Sequence, residues 1–169
     1  MLRAISLPKI HVNSFFQVLG GSLLIALCAQ IAIPLPFTPV PLALGSLAPL
    51  ILGAVMDKKY AVLAVLLYLI EGAMGLPVFA LGGSGLARIM GPSGGYLMGY
   101  ILSAYIVGRF KSVTAMVAGS AAVLAVGALH LASFVGIKNA LFMGVLPFLA
   151  GDLILKPLVA FSALRKKSY

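Results

Sequence analysis

The sequence predicts an all-α, polytopic membrane protein with six transmembrane helices, both termini cytoplasmic, folded as a single membrane domain. Three observations lead there. Of 169 residues, 62% are hydrophobic and 9% are charged, against about 25% charged in soluble domains; mean hydropathy is +1.16. Long apolar runs separated by short breaks use nearly the whole chain. Lys and Arg are sorted unevenly between alternate breaks. So few charges cannot make the surface of a soluble enzyme, and the composition equally excludes a disordered segment or a disulfide scaffold. Cys28 is the single cysteine, so no internal disulfide can form.

A helix needs about 20 apolar residues to cross the hydrocarbon layer. The spans are read at 14–33, 40–56, 60–77, 91–108, 113–137 and 141–164. The first carries no charge, the third has Glu71 near its end, and the sixth holds Asp152 and Lys156. The first run is too long for a signal peptide and no small-residue cleavage pattern follows it. The segment ahead of it, with Arg3, Lys9 and His11, suits a short amphipathic helix on the membrane surface. Net charge is +9, but the cations form no dense basic stripe, so no nucleic-acid partner is expected. With six spans, Arg3, Lys9, Lys58, Lys59, Arg109, Lys111, Arg165, Lys166 and Lys167 fall on the side of the termini; Arg88 and Lys138 fall on the other. That bias places the termini in the cytoplasm.

The external side carries the irregular segments. Ile33–Pro41 reads IPLPFTPVP, and its prolines cannot continue a helix. Gly75–Gly95 reads GLPVFALGGSGLARIMGPSGG, far longer than a turn and therefore a folded lid or ligand-binding cap. Irregular backbone at membrane depth is tolerated where protein covers it or where it lines a cavity.

Conventional catalytic arrangements are missing. His11 and His130 stand apart with no Cys or carboxylate cluster, so no metal site is expected. No GxxxxGK[ST] occurs, Arg88 occupies the third glycine position of a dinucleotide loop, and the spacing around Ser84 does not make a nucleophile elbow. The chain reads as a non-enzyme without a cofactor. What remains is intramembrane charge. Asp152 and Lys156 are four residues apart on one helix face; they make either a structural ion pair or the polar floor of a pocket. Glu71 reads as structural, and His130 as a packing residue. Arg88, the single cation of the long external loop, suits an anionic ligand group. Tyr96 either caps a pocket or anchors the chain at the interface. Ser22 and Ala26, and then Cys28, bring small residues to the first span, for close packing within the bundle or for docking a second membrane subunit.

Four motifs then occur in order: QIAIPLPFTPVPLAL (Gln30–Leu44), GLPVFA (Gly75–Ala80), GPSGGY (Gly91–Tyr96) and PFLAGD with a following lysine (Pro147–Lys156). From Ala29 to Lys156 the chain resembles the BioY family, the biotin-binding membrane subunits of energy-coupling-factor transporters. The resemblance implies a six-helix subunit that captures biotin from outside in a membrane lipid setting. Its partners would be a transmembrane coupling protein and two cytoplasmic ATPases, in keeping with the missing phosphate loop. It implies that Asp152 accepts from the ureido ring and that Lys156 pairs with Asp152 or the ring carbonyl. Tyr96, Phe37, Thr38 and Phe79 would enclose the ligand, Arg88 would attract the tail carboxylate, and Ser22, Ala26 and Cys28 would face the coupling protein. The chain departs from the family pattern in the four-residue Asp–Lys spacing, where three is usual, in Gly45 where a polar residue is usual, and in a serine for threonine in GPSGG. A different vitamin, such as riboflavin or thiamine, is the nearest alternative, although a flavin calls for more aromatics and Trp is absent. An intramembrane enzyme or a scaffold subunit are the other classes.

Overall fold

The first helix, α1 (Ser14–Gln30), packs against α3 (Lys58–Ala73) and runs parallel to it. Ser14 Oγ donates to Tyr60 Oη at one end, and Gln30 reaches Pro77 and Phe79 at the other. The structure is a computed structural model that describes residues 14–150 and Asp152. The expectations for Arg3, Lys9, His11, Lys156 and residues 165–167 lie outside the described residues.

Between α1 and α3 the chain is not all helix. Two short strands, β1 (Ala32–Ile33) and β2 (Leu42–Ala43), pair antiparallel with Ala32 opposite Ala43 and Ile33 opposite Leu42. They close the proline-rich segment into a hairpin. A 3₁₀ turn, Leu44–Ser46, leads into α2 (Leu47–Val55). The helical part of the expected span 40–56 starts later: Val40 and Pro41 are irregular, and Leu42 and Ala43 are committed to the ladder with β1. Pro49 is tolerated because it lies in the first turn of α2, where an N–H has no intrahelical partner.

The other expected spans shift for local reasons. A short helix, α4 (Leu86–Met90), and a Gly–Pro–Ser turn precede α5 (Gly94–Phe110), so that span begins at Gly94 rather than at 91. Ser112 caps α6 (Val113–Val135) by accepting the Ala115 N–H at 3.1 Å. Gly136, at φ 80 and ψ 158, ends α6 in a conformation open to glycine. Then α7 (Ile137–Gly144) and α8 (Leu146–Ala150) meet at Val145. The helix expected from 141 thus starts earlier and is broken before Asp152. Among the described residues, α6 is the helix long and apolar enough by itself to cross a bilayer; α1, Leu44–Val55 and Ile137–Leu149 are apolar but shorter.

Small residues bring the helices together. A Cβ on Gly99 would lie 2.7 Å from the Val123 Cα, so α5 and α6 touch backbone to backbone. Gly53 meets α5 at Ala104 and Val107, and Gly108 meets the backbone of Lys58. The last contact puts the α2–α3 and α5–α6 connections at one end of the bundle. Lys58 Nζ lies 5.7 Å above the Tyr105 ring there, with Arg109 and Lys111 alongside in sequence. The hairpin, the glycine-rich loop and the start of α7 occupy the other end. Large apolar side chains, among them Phe16, Leu23, Leu27 and Leu129, face outward, a surface suited to acyl chains rather than water.

Gly99→Leu is expected to destabilise the protein by about 1–3 kcal/mol through overpacking, read as a lower thermal midpoint in detergent. Gly20→Ala, with nothing within 4 Å of the new methyl group, should leave the midpoint unchanged or raise it.

Candidate functional site

Two residues distant in sequence meet inside the bundle. Asp152 is only 4% exposed, and Ser46 Oγ donates to its Oδ1 at 3.0 Å. Ser46 stands immediately before α2, where a serine ordinarily caps the helix it precedes. Its side chain makes no such cap; the hydroxyl is turned to the carboxylate instead. A buried carboxylate is costly unless donors surround it, so the site that holds it must be polar on at least one side.

A cavity of about 50 Å³ opens beside Asp152 and Ser46. Val40, Pro41 and Ala43 of the hairpin form one wall, and Phe79, Ala80 and Arg88 of the glycine-rich loop form another. Ser93, Tyr96, Leu97 and Tyr100 line it at and along α5, with Val123 from α6 and Phe148 from α8. The aromatic side chains are held by absent ones. Gly127 lies under the Tyr96 ring, where a Cβ would come within 2.3 Å. Tyr96 Oη donates to the Gly144 carbonyl at 2.7 Å, which ties α5 to the end of α7. Its ring sits 6.0 Å from that of Phe148. Phe79 fills the notch over Gly72 and meets Tyr68 edge-on at 5.4 Å. Arg88 Nη2 donates to the Ala80 carbonyl at 3.3 Å, bracing the loop from within.

Of the residues singled out in the sequence, the cavity brings together Asp152, Arg88, Tyr96 and Phe79. Phe37 is 54% exposed and lies outside the wall. Thr38 also lies outside it; its Oγ1 accepts the Val40 N–H at 3.2 Å and so shapes the turn that presents Val40. Lys156 lies outside the described residues. Ser22 and Ala26 are buried in the bundle, and Cys28 is half-buried. Of the two readings open for these small residues, close packing within the bundle is the one Ser22 serves here, since it donates to the Glu71 carboxylate of α3. That bond also explains Glu71. His130 Nε2 meets the Gly91 carbonyl at 3.1 Å and steadies the GPSGG turn.

Sequence reasoning missed Ser46, Tyr100 and Phe148. Phe148 lies inside the PFLAGD motif, and that motif is the signal that could have found it. A serine before an apolar run reads as a cap, which hid Ser46.

The family model of the BioY family matches residues 4–168. This chain belongs to the BioY family. It is 39% identical to the biotin transporter BioY of Thermotoga maritima over 153 residues, 85% of this chain and 89% of that protein. It is 36% identical to the probable biotin transporter BioY of Pyrococcus horikoshii over 130 residues, 75% of this chain and 78% of that protein. The crystal structure of the S-component for biotin from an ECF-type ABC transporter shares the fold, with a TM-score of 0.78 at 24% identity over 97% of this chain and 95% of that one. As a member of a family of membrane transporters, this BioY chain is an integral membrane protein. The BioY motifs of the sequence converge on one end of the bundle, since Val40, Phe79, Tyr96, Phe148 and Asp152 come from all four and line one cavity.

Tyr96→Phe keeps the ring and removes the bond to Gly144. It should lower stability by about 0.5–1.5 kcal/mol, measured by thermal unfolding with and without ligand.

Proposed function

We propose that this chain is the substrate-capture subunit of an energy-coupling-factor transporter and binds biotin from the outside. The observation that carries the reading is the buried carboxylate of Asp152 at the end of an aromatic-walled cavity, in a BioY fold. The ureido ring of biotin offers two N–H donors and a carbonyl. Asp152 accepts from that ring, Ser46 fixes the orientation of the carboxylate, and Lys156 pairs with Asp152 or with the ring carbonyl. Tyr96, Phe148 and Phe79 give the bicycle aromatic surface. Arg88 meets the tail carboxylate. Phe37 and Thr38 belong to the hairpin tip that closes over the entrance. Closure expels water and strengthens each buried hydrogen bond.

In this reading the six spans form one domain, and both termini face the cytoplasm with the Lys58 and Arg109 connections. The placement of those two connections at one end of the bundle supports the orientation. The chain carries no phosphate loop, so energy comes from partners: a transmembrane coupling protein and two cytoplasmic ATPases. Lipid surrounds the outward apolar faces. No catalytic step and no cofactor is assigned.

Isothermal titration of the purified protein tests the assignment. Asp152→Asn should weaken biotin binding at least tenfold, about 1.4 kcal/mol; an unchanged Kd removes Asp152 from the ligand shell. Arg88→Ala should weaken biotin more than biotin amide, and equal losses for the two ligands reject the carboxylate contact.

A further inference from the structure

Gln30 is the last residue of α1, and its carboxamide grips the glycine-rich loop at three backbone atoms. Nε2 donates to the carbonyls of Pro77 and Phe79, each at 3.2 Å. Oε1 accepts the Gly82 N–H at 3.2 Å. A carboxamide offers donors and an acceptor in one uncharged plane, which a carboxylate or an ammonium does not. The gripped loop is the one that supplies Phe79, Ala80 and Arg88 to the cavity wall.

The backbone under this grip is held in an uncommon state. Leu81 lies at φ 60 and ψ 34, in the left-handed region, and Gly82 follows at φ 68. Such a conformation at leucine persists only where its surroundings enforce it. Here the bonds from Gln30 fall on both sides of it, at the Phe79 carbonyl and the Gly82 N–H. The cavity behind the loop has about 50 Å³ of free space, whereas small-molecule pockets begin near about 300 Å³. A ligand of biotin's size therefore enters only when a wall moves. Two walls are irregular in backbone. The hairpin is closed by its own ladder; the loop is pinched by the Phe79–Gly83 bridge and tied to α3 where the Gly85 N–H donates to the Gly72 carbonyl, and its side-chain bonds to α1 come from the partly exposed Gln30.

We infer that Gln30 is a latch, a positioning residue that holds the loop shut and sets the rates at which biotin enters and leaves. The inference rests on the biotin reading above, but Gln30 itself touches no ligand atom. Three neutral hydrogen bonds at the protein surface exchange readily with water, so the latch opens and re-forms without disturbing the helices.

Gln30→Met keeps the length and apolar stem of the side chain and removes all three bonds. Stopped-flow binding with labelled biotin should show association and dissociation rates both raised at least fivefold, with Kd kept within threefold. Hydrogen–deuterium exchange across residues 77–85 of the ligand-free protein should rise, with the thermal midpoint little changed. If biotin binds and the rates do not move, the latch is overturned and the biotin reading stands. Slower association with a weaker Kd also overturns it, because that pattern marks a ligand contact or a damaged pocket. If the parent protein binds no biotin, the biotin reading falls, and exchange alone decides whether Gln30 holds the loop: faster exchange supports it and unchanged exchange rejects it.

Discussion

A carboxylate placed inside an apolar bundle must be solvated by the protein or by a guest, and the arrangement around Asp152 follows from that requirement. Removing such a charge from water costs several kcal/mol even after relaxation. The charge is therefore met by a hydroxyl that gives up its usual capping role, at Ser46. The hairpin leads directly into the turn that carries that hydroxyl, and Gly45 seats the turn against Ala29 and Tyr100. The cavity beside the carboxylate is the space that the proposed ligand would occupy.

The aromatic walls depend on a second device, the missing side chains of helical glycines. Tyr96 can turn toward Phe148 and Gly144 because Gly127 leaves room beneath its ring, and Phe79 can drop below the loop because Gly72 leaves a notch on α3. Glycine weakens a helix interior, yet here each such site gives a large ring a fixed seat. The result is a pocket whose polar floor comes from the turn before α2 and residue 152, whose rigid side comes from α5 and α6, and whose cover is a loop. Rigid helices keep the floor in register while the cover remains the part able to move.

Much of this was legible in the sequence. Composition and the apolar runs gave the helical membrane class, and the cation sorting matches the end at which Lys58 and Gly108 meet. Asp152 stood out because a charge in a greasy run needs a reason. Other features were hidden for physical reasons. The hairpin involves two residues per strand, too few for any period to appear. The break at Val145 lies within an apolar stretch whose composition does not change. The small residues Ser22 and Ala26 looked alike from either side of α1, and only the partner, Glu71 on α3, shows which way they face. Ser46 carries the signal of a helix cap, and the contact that redirects it lies 106 residues away. Long-range pairing of that kind leaves no local trace.

The most direct measurement is mass spectrometry of the small-molecule extract from denatured, purified protein made in cells supplied with biotin. A ligand held in the cavity that Asp152, Tyr96 and Phe148 line should stay bound through purification, so biotin in amounts equimolar with the chain is the expected result. An extract free of biotin, or one holding a different vitamin in its place, would contradict it.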